Sequence, residues 1–178
     1  MTTYAAMLRS VNVGGRKMKM ADLQRLCVDL GHGDVVTYIQ SGNIVFTSAN
    51  RSAAAVGGEL ERQIEAAFHM AVAVVLRTKA ELAAAIKANP FPATGVDLSK
   101  LHVTFLTARP DRSRVKALDV PASGRDEFRV GTREVYLHCP DGYGNTKLTT
   151  VLFERKLGVV GTTRNWNTTT KLLALAGG

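Results

Sequence analysis

The spacing of apolar positions changes from segment to segment along the chain, and each change marks an element. Residues 3–11, TYAAMLRSV, are an almost unbroken apolar run suited to a buried strand. In MADLQRLCVDLG, residues 20–31, Leu23, Leu26, Cys27 and Leu30 fall at the i, i+3, i+4, i+7 spacing of an amphipathic helix that stops at Gly31. VVTYIQ (35–40) and NIVFTS (43–48) are β-branched and aromatic strands. Only Ser41-Gly42 separates them, which predicts a tight hairpin. Val56, Leu60, Ile64 and Phe68 then recur every fourth residue as a helix, and VAVVLRT (72–78) reads as a strand. The predicted order is βαββαβ, the split-βαβ or ferredoxin-like unit.

The second half gives the same order. KAELAAAIKANPFP is an Ala-rich connecting helix closed by Asn89-Pro90 and Pro92. LHVTFLTA (101–108) is a strand, PDRSRVKALDV a short helix opened by Pro110, and DEFRV with REVYLHC a hairpin around Gly131-Thr132. TKLTTVLFERKLG places Leu148, Val151, Leu152 and Leu157 near one helical face, and VVG (159–161) reads as a short last strand before a terminal helix from about Trp166. The expected fold is therefore α+β, a tandem duplication of ferredoxin-like βαββαβ half-domains with an extra C-terminal helix. The halves are 1–78 and 101–178, joined by a connecting helix and linker over 79–100.

Composition narrows the class. A chain of 178 residues that is 46% hydrophobic can bury a core. Its longest weakly polar run, 66–76, is too short to cross a bilayer, and its N-terminus lacks a signal-peptide pattern, so a cytoplasmic protein without a membrane partner is expected. Two well-separated cysteines, Cys27 and Cys139, fit a reducing compartment and no structural zinc site. The excess of 23 Lys+Arg over 15 Asp+Glu, a net charge of +8, favours anionic partners, or serves solubility alone.

Topology gives that charge a location. In a split-βαβ unit the exit of the first strand and the hairpin between the second and third lie at one end of the sheet. NVGGRKMK (12–19) and QSGN (40–43) should then share a rim containing Asn12, Gly14, Gly15, Arg16, Lys17, Gln40, Ser41, Gly42 and Asn43. Two glycines and three cations ahead of a helix can present N–H groups and positive charge to an anion. The alternative is a turn that needs glycine for positive φ, with solvated lysines beyond it. Ser41 and Asn43 similarly bind ligand or satisfy the turn backbone. Arg9, placed in the first strand, needs either a ligand or an internal partner.

Elsewhere GYGNTKL opens a helix with Asn145 or Thr146 as cap and Lys147 in its first turn, where an anion would be welcome. GTTRNWNTTTKLL (161–173) holds more hydrogen-bonding side chains than a helix cap requires. Arg164, Asn165 and Asn167 are candidate ligand contacts there, and Trp166 reads as core packing. Neither a phosphate-binding P-loop nor a complete G-x-G-x-x-G is present, and no cofactor is indicated. The histidines lack metal-ligand spacing, Cys27 sits on an apolar helix face, and His138 and Cys139 point to opposite faces of a strand. No catalytic residue or metal site is assigned.

YAAMLRSVNVGGRKMKMADLQRL, VVTYIQSGNIVF and TTRNWNTTTKLLALA together resemble the bacterial domain-of-unknown-function family DUF1697 from end to end. That resemblance implies a cytoplasmic protein with a duplicated βαββαβ fold. It places the family's R-x-x-N-V-G-G on Arg9, Asn12, Val13, Gly14 and Gly15, and its Y-I-x-S-G-N on Tyr38, Ile39, Ser41, Gly42 and Asn43. The late-helix lysine falls on Lys147, and T-x-R-N-W-N-T on Thr162, Arg164, Asn165, Trp166, Asn167 and Thr168. Ser10 stands where glycine is common. The resemblance supplies site candidates and no activity.

The residues thus lead to a protein that binds a phosphate-bearing small molecule, nucleotide or nucleic acid through the glycine/lysine loop. The first alternative is an enzyme that uses the same rim to orient a small substrate. The second gives these motifs a structural role only.

Overall fold

The N-terminal apolar run becomes strand β1 (Thr2–Leu8), and it does not alternate because both of its faces are covered. In a computed structural model of the chain, residues 1–15, 17–121 and 124–177 are described. β1 is followed by α1 (Met20–Asp29), β2 (Gly33–Tyr38), β3 (Asn43–Ser48), α2 (Ala53–Phe68), β4 (Val74–Thr78) and α3 (Lys79–Ala88). The strands form an antiparallel sheet in the order β2-β3-β1-β4. On one face Tyr4, Ala6 and Leu8 pack with Phe46 and Leu76 beneath Leu23 and Cys27 of α1 and Leu60 and Ile64 of α2. On the other, Ala5, Met7, Val45, Val75 and Arg77 are each at most 2% exposed. β2, at the edge, alternates instead and leaves Val36 exposed.

The second half comprises β5 (Leu101–Leu106), α4 (Arg112–Lys116), β6 (Glu127–Val130), β7 (Glu134–His138), α5 (Thr150–Leu157), β8 (Gly161–Asn165) and α6 (Trp166–Leu175). Its sheet runs β6-β7-β5-β8, also antiparallel. The chain is thus an α+β protein with two four-stranded antiparallel sheets and six α-helices among the described residues. It divides into two compact units, Met1–Ala84 with Lys171–Gly178, and Ala85–Thr170. Among the described residues no helix is long and apolar enough to cross a membrane.

Several expected positions shift. The last strand is 161–165 and not 159–161, because G-T-T-R-N pairs along β5 from Leu106 to His102. The polar motif is therefore half strand, and its tryptophan opens the helix. α5 starts at Thr150, capped by Thr149, whose hydroxyl accepts from the Leu152 amide at 3.2 Å. Lys147 consequently lies before the helix and not in its first turn, and the phase moves Val151 outward, leaving it 60% exposed. β1 ends at Leu8, so Arg9 stands just beyond the strand.

The fourth strands of the two sheets end alike. Arg77 is paired in register with Ala5, and Arg164 with Val103, each one residue before a helix-capping side chain. Thr78 accepts from the Glu81 amide at 3.2 Å while its own amide donates to Glu81 Oε2 at 2.8 Å, a reciprocal capping box for α3. Asn165 Oδ1 accepts from the Thr168 amide at 2.7 Å and caps α6.

Burial of histidine gives the first prediction. His32 stacks on Phe46 at 4.5 Å, and its Nε2 is buried without a hydrogen-bond partner. Desolvation holds its pKa below the ordinary 6.5, against a smaller opposing pull from Glu59. The unfolded chain therefore binds this proton more readily than the folded chain, so stability falls as pH drops below about 6.5. His102, half-buried and also lowered by desolvation, acts in the same direction. Exposed Asp97 and Asp141 have lowered values too, but their contribution is lost only as pH falls through a more acidic window, below about 3.8. Urea midpoints should decline between pH 7 and 5 in the wild type and more shallowly in His32→Leu; parallel slopes would contradict the assignment.

Candidate functional site

The rim of the first sheet is assembled from two segments that meet where β1 ends. Met7 pairs with Asn43, and the Leu8 amide donates to the Gly42 carbonyl at 2.8 Å. A Cβ on Gly42 would lie 2.8 Å from Leu8 Cβ and 3.3 Å from Val11 Cβ, and its φ is +73°. The β2–β3 turn therefore seats directly on the exit of β1. Beyond it the backbone makes left-handed turns at Ser10 (φ +56°), Asn12 (+59°), Gly14 (+58°) and Gly15 (+86°). The two glycines face open space, so backbone conformation and not close packing explains them. Ile39, across the rim, holds a φ of +48°, unusual for a β-branched residue.

Asn12 closes this loop. Its side-chain amide donates to the carbonyls of Met18 at 2.9 Å and Gln40 at 2.8 Å, while its Oδ1 accepts from the Met18 amide at 2.7 Å. The side chain thus acts as a clamp, with both donors engaged inside the protein. Asn43 is fully buried and donates to Ser41 Oγ at 2.8 Å and the Tyr38 carbonyl at 3.2 Å. Arg9 is half-buried, its amide bonded to the Ala73 carbonyl at 2.9 Å and its guanidinium 3.4 Å from Ser10 Oγ. Gly14, Gly15, Lys17, Lys19 and Gln40 remain on the surface. Lys19 precedes α1 without a side-chain cap to its first N–H groups. Arg16 lies outside the described residues.

The other candidates belong to the second unit. Arg164 is 8% exposed, and its Nη1 donates to Thr162 Oγ1 at 2.7 Å and to the Thr163 carbonyl at 3.0 Å. Burial pulls its pKa down to about 10. Asn165 caps α6, and the Thr169 hydroxyl donates to the Asn165 carbonyl at 2.9 Å. Thr163 joins Thr104 at 2.7 Å and Thr150 at 2.6 Å through its hydroxyl. Trp166 is buried, while Asn167 and Lys147 are exposed. The dense polar motif is thus largely spent on one strand end and one helix start.

Thiol chemistry is poorly served here. Burial pushes the Cys27 thiol up to about 12 and Cys139 to about 11, so both are protonated at neutral pH. Among the described residues no group of three or more His, Cys, Asp or Glu is placed to hold a metal ion. The glycine pattern draws attention to the first rim alone. The corresponding rim of the second unit, between the end of β5 and the turn at Gly131-Thr132, has no glycine pair and emerges only from the fold.

Fold and rim define an α+β protein of two four-stranded antiparallel sheets whose polar motifs mainly build loops and caps. The chain belongs to the family described as Protein of unknown function (DUF1697), whose model matches residues 1–136. It is similar over 98% of its length, and 98% of the other chain, to the structure of the conserved bacterial protein SP0830 from Streptococcus pneumoniae, with 27% sequence identity and a TM-score of 0.79. No curated protein matches the chain.

Proposed function

We propose that this protein binds a phosphate-bearing anion at the rim of its first sheet, using the exposed segment Val13, Gly14 and Gly15 and the ammonium groups of Lys17 and Lys19. The observation that carries this reading is the Asn12 clamp, which fixes a loop with left-handed backbone at Asn12, Gly14 and Gly15 beside surface lysines. Unusual backbone held in place by its surroundings is a common property of ligand sites, and successive exposed N–H groups attract anions. In this reading Asn12, Ser41 and Asn43 position the rim and do not touch the ligand. The setting is cytoplasmic, in keeping with two free buried cysteines.

Inorganic pyrophosphate titrated into the ¹⁵N-labelled full chain tests the proposal. The amides of Gly14, Gly15 and Lys17 should shift saturably, and Lys17→Ala/Lys19→Ala should weaken the response about tenfold or more, the loss of roughly 1.4 kcal/mol. Unresponsive loop amides would overturn it.

For the closing motif we propose a structural role, supported by the burial and internal bonding of Arg164 and the capping of α6 by Asn165. We also infer that the halves are a duplication of one ferredoxin-like unit that includes the following helix, so that α3 and α6 correspond. The repeated strand order and the matched positions of Arg77 and Arg164 support this reading.

A further inference from the structure

The second unit carries a cavity of about 470 Å³ at the same end of its sheet, where the exit of β5 and the start of α4 approach the β6–β7 turn. Three cations line it: Arg109, Arg112 and Lys116. No carboxylate is among its lining residues, and among the described residues none of the three cations makes an ion pair. Elsewhere in this unit acids do find arginines, as in Arg125 with Asp141 and Arg129 with Glu127 at 3.8 Å. Arg112 and Lys116 stand four residues apart on one short helix, where like charges repel. Asp111, exposed at the start of this helix, is the one acid in the segment 109–116, and among the described residues it forms no ion pair with the three cations.

The remaining walls limit what counterion these cations would take. Pro110, Val115 and Val130 supply an apolar side, and the Gly131-Thr132 turn adds a hydroxyl and exposed backbone. The volume lies within the range typical of small-molecule sites. Two planar guanidinium forks with an ammonium group suit phosphate oxygens, which accept bidentate hydrogen bonds, better than a single carboxylate. Among the described residues no aromatic ring lines the cavity, so the base stacking expected of a single-strand nucleic-acid surface has no platform there.

We infer that this cavity binds a small compound bearing a pyrophosphate-type group, held by Arg109, Arg112 and Lys116 with its less polar part against Pro110 and Val130. The site stands independently of the rim in the first unit, and its test has separate readouts. In the pyrophosphate titration, the Gly131, Thr132 and Lys116 amides and the Arg109 and Arg112 side-chain Nε–H signals should shift saturably. Arg112→Ala/Lys116→Ala should weaken these responses at least about tenfold while those of Gly14 and Gly15 stay unchanged. Lys17→Ala/Lys19→Ala should leave the second set unaffected. Lys116→Gln alone, on an exposed position, should reproduce part of the loss with an unchanged melting curve.

Absence of saturation at the cavity signals by about 10 mM pyrophosphate would overturn the inference. So would equal responses in the wild type and the double variant. A single-stranded RNA oligonucleotide that shifts these signals with steep salt dependence, where pyrophosphate does not, would replace the small-ligand site with a polyanion surface.

Discussion

Replacing Gly42 by alanine is expected to cost about 2–4 kcal/mol of stability, the sum of a left-handed backbone penalty and local overpacking. The new methyl would meet Leu8 Cβ at 2.8 Å and Val11 Cβ at 3.3 Å, and these atoms belong to the buried exit of β1, which has little freedom to retreat. The consequence reaches the rim, because the Leu8 amide is bonded to the Gly42 carbonyl and the Gln40 carbonyl receives Asn12. Urea denaturation should show the loss, and amide spectra should place the largest shifts at residues 8–18 and 38–43. A variant as stable as wild type would mean that the turn does not rest on β1. Gly14→Ala is the informative contrast: nothing lies within 4 Å of its Cβ, so only the backbone penalty of φ +58° applies.

Arg164→Ala should be comparably damaging, by about 2–4 kcal/mol, since it removes a large buried side chain and leaves polar partners without their donor. Thr162 Oγ1 and the Thr163 carbonyl both lose Arg164 Nη1. Arg164→Met keeps most of the volume and removes the desolvated charge whose pKa burial has pulled down to about 10, so it should lose much less. Thermal melts of the two variants check the pair. If alanine were harmless, the guanidinium would have no structural task, and the scaffold reading of T-x-R-N-W-N-T would fail.

The two substitutions separate roles that look the same in one dimension. Both residues lie in polar, glycine- or threonine-rich stretches that read equally well as ligand sites. At Gly42 the local signal located the turn but not its length: Ser41-Gly42 between two β-branched runs predicts a two-residue connection, whereas β2 ends at Tyr38, which pairs with Asn43, so residues 39–42 make the turn. At Arg164 it was not, since an arginine among threonines and asparagines carries no mark of burial. Lys147 shows the same limit from another direction. A helix start at Asn145 or Thr146 is chemically reasonable, yet Thr149, three or four residues later, caps equally well and packing of Leu152 and Phe153 selects it.

The order of elements, the hairpin, the amphipathic faces of α1 and α2 and the meeting of the first loop with the first turn were determined by the sequence itself. Periodicity and turn chemistry depend on neighbouring residues, and the split-βαβ order then restricts which ends of the strands coincide. Tertiary structure alone decided which polar side chains remain available. Asn12 is engaged by a carbonyl 28 residues away, T-T-R-N becomes a strand by pairing with β5, and three cations of the second unit gather around a cavity. Hydrogen-bond partners and burial are assigned by segments distant along the chain, and no local pattern encodes that assignment.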